Sequence, residues 1–367
     1  LLFAYGLAVT TEDIYDNSYA LVIGIDKYRN VSNLDYAVKD ANSITTLLRD
    51  NFNFPSKNIQ TLLNEEATYS NIRNSLSEIS SSAKANDRVL IYFAGHGMTK
   101  DLPDGGEMGY LLPVDGIKDN LYASAIPMND LKDLSYMSKA KHMLFLVDAC
   151  YGGLAAVGKR GLDATNTTNY IKKVTNIKSR QIITAGGKAE QVIEKPEWGH
   201  SAYTMNLLRG LRSGLADSNE DGYITADELG DYLTERVTID SDNQQTPQSR
   251  RLTSHEGEFI FINNQYEQYG QNQVKHGISI DYGAIIVTDN SHLYSTDSNW
   301  GEISVKDRLK KRLDEKSWSE EPIGFGEGYF GCTDSSASNF NPDVYEDDGS
   351  CTYIDKNSLN YNKEYSG

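Results

Sequence analysis

A cysteine becomes a strong nucleophile when a neighbouring base raises its thiolate fraction, and an imidazole is suited to that task near neutral pH. The stretch "FLVDACYGG" (145–153) sets Cys150 at the end of an apolar run, and "FAGHG" (93–97) does the same for His96. A histidine held beside that thiol takes its proton and later returns it to the leaving amine of a cleaved peptide bond. The chemistry in question is acyl transfer. The glycines suit it: Gly97 lets main-chain amides approach a reacting carbonyl, while Gly152 and Gly153 leave room behind the cysteine. The amides of Gly97 and Cys150 are therefore expected to form an oxyanion hole.

Two neighbouring strands must carry those residues. "RVLIYFAGHG" (88–97) and "HMLFLVDACYGG" (142–153) are unbroken apolar runs ending in glycine, the pattern of parallel strands buried on both faces. "YALVIGI" (19–25), "IQTLL" (59–63), "RQIITAGG" (180–187) and "GEFIFIN" (257–263) read as further strands. Helical spacing falls between them. Ala37, Ala41, Ile44 and Leu48 share one face, as do Ile72, Leu76 and Ile79 behind an N-cap at Thr68. "MNDLKDLSYMS" and "SAYTMNLLRGL" add two more helices. The alternation predicts an α/β fold: an open, mostly parallel six-stranded sheet with helices on both faces, followed by an irregular C-terminal tail. Ligands of such sheets gather at the carboxyl ends of the strands, so His96 and Cys150 are expected side by side at that edge.

Together these motifs resemble the caspase-like cysteine peptidases, and within them the metacaspases and their bacterial relatives, the orthocaspases. "YALVIGIDKY", "LDYAVKDA", "FAGHG", "FLVDACYGG" and "RQIITAGG…GHSAYTMNLLRGL" carry the likeness over roughly residues 18–263. His96 and Cys150 stand 54 positions apart, near the spacing of about 50 known for caspases. The resemblance implies Cys150 as nucleophile and His96 as general acid/base, with no third catalytic acid. It also implies an acidic S1 pocket. Asp148 precedes Cys150 by two residues, on the same face of an extended strand, and Asp40 in "YAVKDA" corresponds to the second acid of that pocket. Two carboxylates around an Arg or Lys head group give charge-assisted bonds, whereas an aspartyl side chain meets like charge. Cleavage after Arg or Lys, and not after Asp, is the expectation. The usual metacaspase pattern Asp-Ser-Cys-His-Ser-Gly reads Asp-Ala-Cys-Tyr-Gly-Gly here, which changes the neighbouring subsite. Relatives often cut themselves after the cysteine strand. In residues 154–180 that makes Lys159, Arg160, Lys172, Lys173, Lys178 and Arg180 candidate autocleavage positions. Trp198 is either a substrate-subsite residue, as the resemblance implies, or a loop anchor. His142, His200, His255, His276 and His292 lack catalytic context and read as surface or structural residues.

A second motif stands apart from this chemistry. "DSNEDGYITADE" (217–228) fits the EF-hand calcium loop: Asp217, Asn219 and Asp221 at positions one, three and five, Gly222 at six and Glu228 at twelve. Tyr223 supplies a carbonyl and Thr225 the position often served through water. Helical sequence lies on both sides. Calcium here either switches a peptidase or staples two helices, and a lone loop favours the staple.

Bulk properties narrow the partners. The formal net charge is −17 over 367 residues, which disfavours phosphate backbones and anionic lipid and points to protein or peptide substrates with basic residues. No apolar run approaches the ~20 residues of a membrane span; nothing in the sequence fixes the oligomeric state. "LLFAYGLAVTTED" reads as the remnant of a cleaved signal peptide or as an ordinary strand, both readings standing for residues 1–17. The peptidase-like domain is expected over 18–264, a linker over 265–330, and a tail over 354–367. Between them, Cys332 and Cys351 bracket an acidic unit (331–353) resembling short repeats of secreted or cell-surface bacterial proteins. In an oxidising compartment that pair forms a disulfide contributing about 3 kcal/mol. Secreted, periplasmic or cell-surface residence follows from this reading, with the cytoplasm as alternative. The competing function is a calcium-binding surface protein whose caspase-like scaffold is catalytically silent.

Overall fold

The computed structural model describes residues 9–150, 167–187, 190–263, 330–331 and 346–347. The chain divides into two units, Leu1–Trp300 and Gly301–Gly367. In the first, a capping box opens α1 (Thr11–Ile14): the Thr10 hydroxyl accepts from the Asp13 amide, and the Asp13 carboxylate accepts from the Thr10 amide. This turn brings Ile14 and Tyr15 into an apolar cluster with Ile171, Val174, Tyr223 and Ile260. Residues 1–8 of the N-terminal segment lie outside the described residues; Thr11–Ile14 form a short helix.

β1 (Ser18–Gly24), α2 (Ala37–Asn51), β2 (Ile59–Leu63), α3 (Tyr69–Ser82) and β3 (Arg88–Ala94) follow the expected alternation. The Thr68 hydroxyl caps α3 by accepting from the Asn71 amide at 3.2 Å. After β3 the chain makes a small antiparallel sheet of β4 (Gly97–Asp101), β5 (Glu107–Leu111) and β6 (Ile126–Pro127), with α4 (Leu121–Ser124) before the last strand. The sequence reading passed over it, because its strands alternate weakly and two of them are partly exposed. Next come α5 (Met128–Met137), β7 (His142–Cys150), α6 (Thr167–Thr175), β8 (Ser179–Gly186), β9 (Glu194–Lys195), β10 (His200–Ser201) and α7 (Ala202–Arg212). β11 (Ile224–Thr225), α8 (Ala226–Asp240), β12 (Gln248–Arg251) and β13 (Ile260–Phe261) complete the unit.

The main sheet has six strands in the order β12-β8-β7-β3-β1-β2, parallel except for β12. This is the expected class, with one strand reassigned. "GEFIFIN" does not supply the sixth strand: β13 pairs with β11, and the edge belongs to β12, "QSRR". An edge strand with exposed positions needs no apolar run, so β12 left no periodic signal. The apolarity of 257–263 instead serves Phe259 and Phe261, which are buried in the main core.

Both faces of the sheet are covered. Leu144 and Leu146 of β7 pack in the cluster containing α2, α7 and α8, while Met143, Phe145 and Val147 pack with α3 and α5. Burial of each such side chain contributes about 2 kcal/mol, and double-sided burial is why β3 and β7 read as continuous apolar runs.

The candidate autocleavage positions separate by environment. Arg180 is buried in β8, and its guanidinium donates to the carbonyls of Ser135, Ser138, Ala140, Lys141 and Ser179. Burial lowers its pKa to about 10. A peptide bond paired inside a central sheet cannot extend into a protease cleft, which removes Arg180 as a cleavage position in the folded chain. Lys172 and Lys173 are exposed on α6, and Lys178 is exposed before β8. Lys159 and Arg160 lie outside the described residues.

In the second unit, β14 (Phe330–Gly331) and β15 (Glu346–Asp347) form a short parallel pair. Cys332 and Cys351 lie outside the described residues. Among the described residues no helix is long and apolar enough to cross a membrane.

Candidate active site

β3 and β7 are adjacent, parallel and in register, from Arg88 opposite His142 to Ala94 opposite Asp148. His96 stands two residues beyond Ala94 and Cys150 two beyond Asp148, so His96 follows the end of β3 and Cys150 is the last residue of β7, both at the carboxyl edge of the sheet. The pairing of β7 with β8 shifts between Val147 and Cys150, where β7 departs from simple alternation.

The His96 ring is oriented by a loop that sequence reasoning did not connect to it. Its Nε2 lies 2.8 Å from the Ser32 carbonyl oxygen. Since a carbonyl only accepts, Nε2 carries the hydrogen and Nδ1 the lone pair. Tyr28 supports the ring from below, with centroids 4.8 Å apart, and its hydroxyl accepts from the His96 amide at 2.8 Å. A side chain at position 95 would meet that hydroxyl at 2.5 Å, so Gly95 is required by close approach. Partial burial lowers the His96 pKa below its ordinary value, with the Ser32 bond acting in the opposite sense. The ring is therefore a neutral base at neutral pH.

Beside it opens a cleft of about 370 Å³, lined by His96, Gly97, Asp40, Asp148, Glu194 and Ser201 among others. Asp148 is 3% exposed. Its Oδ2 accepts from the hydroxyls of Ser201 and Thr204, the latter at 2.6 Å. Tyr92 completes the chain by donating to Thr204 at 2.6 Å. Asp148 Oδ1 is buried with no hydrogen-bond partner among the described residues. Burial raises the Asp148 pKa to about 7, with the Asp40 charge adding to it.

Asp40 is 1% exposed and used differently. One oxygen contacts His200 Nδ1 closely and the other accepts from the Ser201 amide at 3.2 Å. A proton lies between Asp40 and His200. Burial raises the Asp40 carboxyl well above its ordinary range, and the Ser201 amide opposes that rise. Glu194, in β9, faces the same cleft; burial and then the Asp148 charge raise its pKa to about 7.

Over residues 17–256 the chain matches the family model for the caspase domain. The chain belongs to the caspase-domain peptidase family. It is 29% identical over 162 residues to metacaspase-7 of Arabidopsis thaliana, covering 41% of this chain and 38% of that protein. Over 106 residues it is 30% identical to metacaspase-1A of Aspergillus oryzae, covering 26% of this chain and 25% of that one. A probable protease of a Desulfuromonadales bacterium is 29% identical over 214 residues, 53% of this chain and 26% of that protein. The chain thus spans between about a quarter and two fifths of the length of these curated relatives. Membership in the family carries hydrolase potential of the peptidase type.

Within this caspase domain, sequence reasoning missed Ser32, Tyr28, Ser201, Thr204 and Glu194. A main-chain carbonyl and hydroxyls at a helix N-cap leave no motif, although Ser201 three residues before Thr204 is a legible cap, since it accepts from the Thr204 amide at 2.8 Å. Of the histidines read as surface or structural, His200 and His142 are both fully buried: His200 lies against Asp40, and His142 is held by Tyr15 and the Ile177 carbonyl. Trp198 is an anchor: it is buried in the main cluster, under the Lys195 ammonium at 4.3 Å. Asp40→Ala removes the partner of two buried groups, His200 Nδ1 and the Ser201 amide. The expected loss is about 3 kcal/mol of unfolding free energy, with partial recovery in Asp40→Asn. Urea unfolding with unchanged midpoints would refute that supporting role.

The loop 217–228 joins α7 to α8. Gly222 adopts φ +86°, the left-handed conformation that favours glycine. Asp217 accepts from the amides of Asp221 and Gly222, Asn219 from Asp221, and Asp221 from Tyr223, so these side chains turn inward. Glu228 Oε2 accepts from the amide and hydroxyl of Thr225 in the cap of α8, while its Oε1 accepts from the Ser218 hydroxyl of the loop at 3.0 Å. Among the described residues no group of three or more His, Cys, Asp or Glu side chains is gathered closely enough to hold a metal ion. Burial, reinforced by neighbouring carboxylates, raises Asp217 to about 6 and Asp221 to about 7.

Proposed function

We propose that the chain is a cysteine endopeptidase that cleaves after Arg or Lys, with Cys150 as nucleophile and His96 as general base and then acid. The observation that carries this reading is the in-register pairing of Ala94 with Asp148, from which His96 and Cys150 each follow by two residues. His96 Nδ1 takes the thiol proton, and the thiolate adds to the substrate carbonyl carbon. The tetrahedral oxyanion, held by the amides of Gly97 and Cys150, then collapses. The C–N bond breaks as the imidazolium returns its proton to the amine. Water, deprotonated by the same nitrogen, hydrolyses the thioester and restores the thiol.

The buried Asp148 oxygen, without a hydrogen-bond partner among the described residues, supports a cationic P1 side chain, because a carboxylate in that state gains most from a charged donor. Self-processing is proposed within 154–178, at Lys159, Arg160, Lys172, Lys173 or Lys178. Calcium is proposed to be bound by Asp217, Asn219, Asp221, Glu228, the Tyr223 carbonyl and, through water, Thr225. The inward-turned first three ligands, left-handed Gly222 and the reach of Glu228 Oε1 to the Ser218 hydroxyl of the same loop support it.

The test is hydrolysis of matched peptides ending in Arg, Lys or Asp at P1, with calcium or a chelator. Arg and Lys peptides are expected to turn over at least ~100-fold faster than the Asp peptide. Preferential hydrolysis of the Asp peptide would overturn the reading. A calcium-dependent rise in melting temperature reports loading of the loop independently of activity.

A further inference from the structure

We infer that Glu194, and not Asp40, is the second carboxylate that reads the basic side chain, and that with Asp148 it makes the pocket select Arg over Lys. This rests on the basic-P1 reading above.

The oxygens of Asp40 are already engaged, one on His200 Nδ1 and the other on the Ser201 amide. A group so committed orders its surroundings but has little left for a ligand. Asp148 is half engaged: Oδ2 holds two hydroxyls, while Oδ1 is buried and without a partner among the described residues. Glu190 also lines the cleft, yet its Oε2 accepts from the amides of Gly187 and Thr246 at 2.8 and 2.9 Å.

Glu194 differs from all three. It lies directly across the β9–β10 ribbon from Ser201. Residues paired this way in an antiparallel ribbon send their side chains to the same face, with Cβ atoms about 5 Å apart. The Ser201 side chain is itself the one that donates to Asp148. The Glu194 carboxylate therefore stands on the Asp148 side of the ribbon, in the wall of the same cleft. Its Oε2 accepts from the Asp35 amide across a long 3.4 Å. Burial raises both acids to about 7, helped by the Asp40 charge at Asp148 and by the Asp148 charge at Glu194, so an incoming cation displaces protons that the empty pocket retains.

Two carboxylates supplied by different elements, β7 and β9, suit a ligand with donors on more than one side. A guanidinium presents a planar fork of five N–H donors and bridges both acids. The Lys ammonium is a compact point charge that satisfies one acid well and the other poorly.

The experiment uses the full chain carrying Cys150→Ala, titrated calorimetrically at pH 8 with agmatine and with cadaverine, the amines that end as Arg and Lys side chains do. Agmatine is expected to bind ~10-fold more tightly than cadaverine. Glu194→Gln is expected to weaken agmatine by ~10-fold or more and bring the two amines close together. Glu197→Gln removes an exposed acid from the same loop and is expected to change neither. In the active chain, Glu194→Gln is expected to raise KM for Arg peptides with kcat held within about twofold. If agmatine binds and Glu194→Gln leaves its affinity unaltered, the inference fails while the basic pocket stands. An equal loss in Glu197→Gln reduces the effect to a distant field and also overturns it. If neither amine binds the parent at millimolar concentration, the basic-P1 reading falls and takes this inference with it.

Discussion

Cys150→Ala is expected to lower kcat for Arg- and Lys-terminated peptides by ~10⁴-fold or more, while melting temperature and peptide affinity stay near those of the parent. Residual acceleration then comes only from substrate positioning and the oxyanion donors, as in other nucleophile knockouts. His96→Ala is expected to cost a comparable factor at pH 7, for a different reason. The thiol remains, but an unassisted thiol has a pKa near 8.5 and is mostly protonated. Activity of His96→Ala should accordingly rise with pH up to about 9, whereas Cys150→Ala stays silent throughout. Retention of more than a tenth of the parental rate by either variant would dismiss the proposed dyad. The His96 geometry sharpens this: with Nε2–H held on the Ser32 carbonyl, the ring can present only Nδ1 as base.

Asp148→Asn has the second largest effect, and it moves activity and stability in opposite directions. Replacing the buried carboxylate by an amide leaves acceptors for Ser201 and Thr204 but offers an incoming cation no anion. KM for Arg and Lys peptides is expected to rise by ~100-fold. Stability follows from the sign of the pKa shift. Burial raises Asp148 in the folded chain to about 7, against about 3.9 when unfolded. Between those values the folded state binds more protons, so stability is full below about pH 4 and falls as pH rises toward and past 7. A shift of that size corresponds to roughly 4 kcal/mol. Asp148→Asn lacks this penalty, and its unfolding free energy relative to the parent is expected to be higher at pH 8 than at pH 4. The same ionisation predicts that the parent's KM for basic peptides falls as pH rises through about 7, an effect blunted in the variant. A stability difference that does not vary between pH 4 and 8 would refute the burial argument.

Much of the fold could be read beforehand because its determinants are periodic. β3 and β7 are buried on both faces, so their apolar runs announced them, and their adjacency followed from the rules of parallel α/β sheets. Where burial is one-sided or partial the signal faded: β12, β4 and β9 were invisible for that reason. The site divides along the same line. His96, Cys150 and Asp148 close long apolar runs, and Asp40 sits on a helix with clear spacing. Ser32 acts through its carbonyl, which no side-chain pattern encodes. Glu194 and His200 owe their places to a two-residue ribbon between β8 and α7. No spacing rule reveals that a buried imidazole sits against the Asp40 carboxylate.

Arg180 has one more implication. Its guanidinium ties the first residues of β8 to the main chain at the end of α5 and before β7, and the two strands are paired from His142 opposite Ser179 onward. Covalent continuity between Cys150 and Ser179 is thus not what joins the halves. A chain severed there would keep its downstream piece seated by main-chain ladders and one embedded cation, and the crevice walls contributed by each piece would remain facing one another.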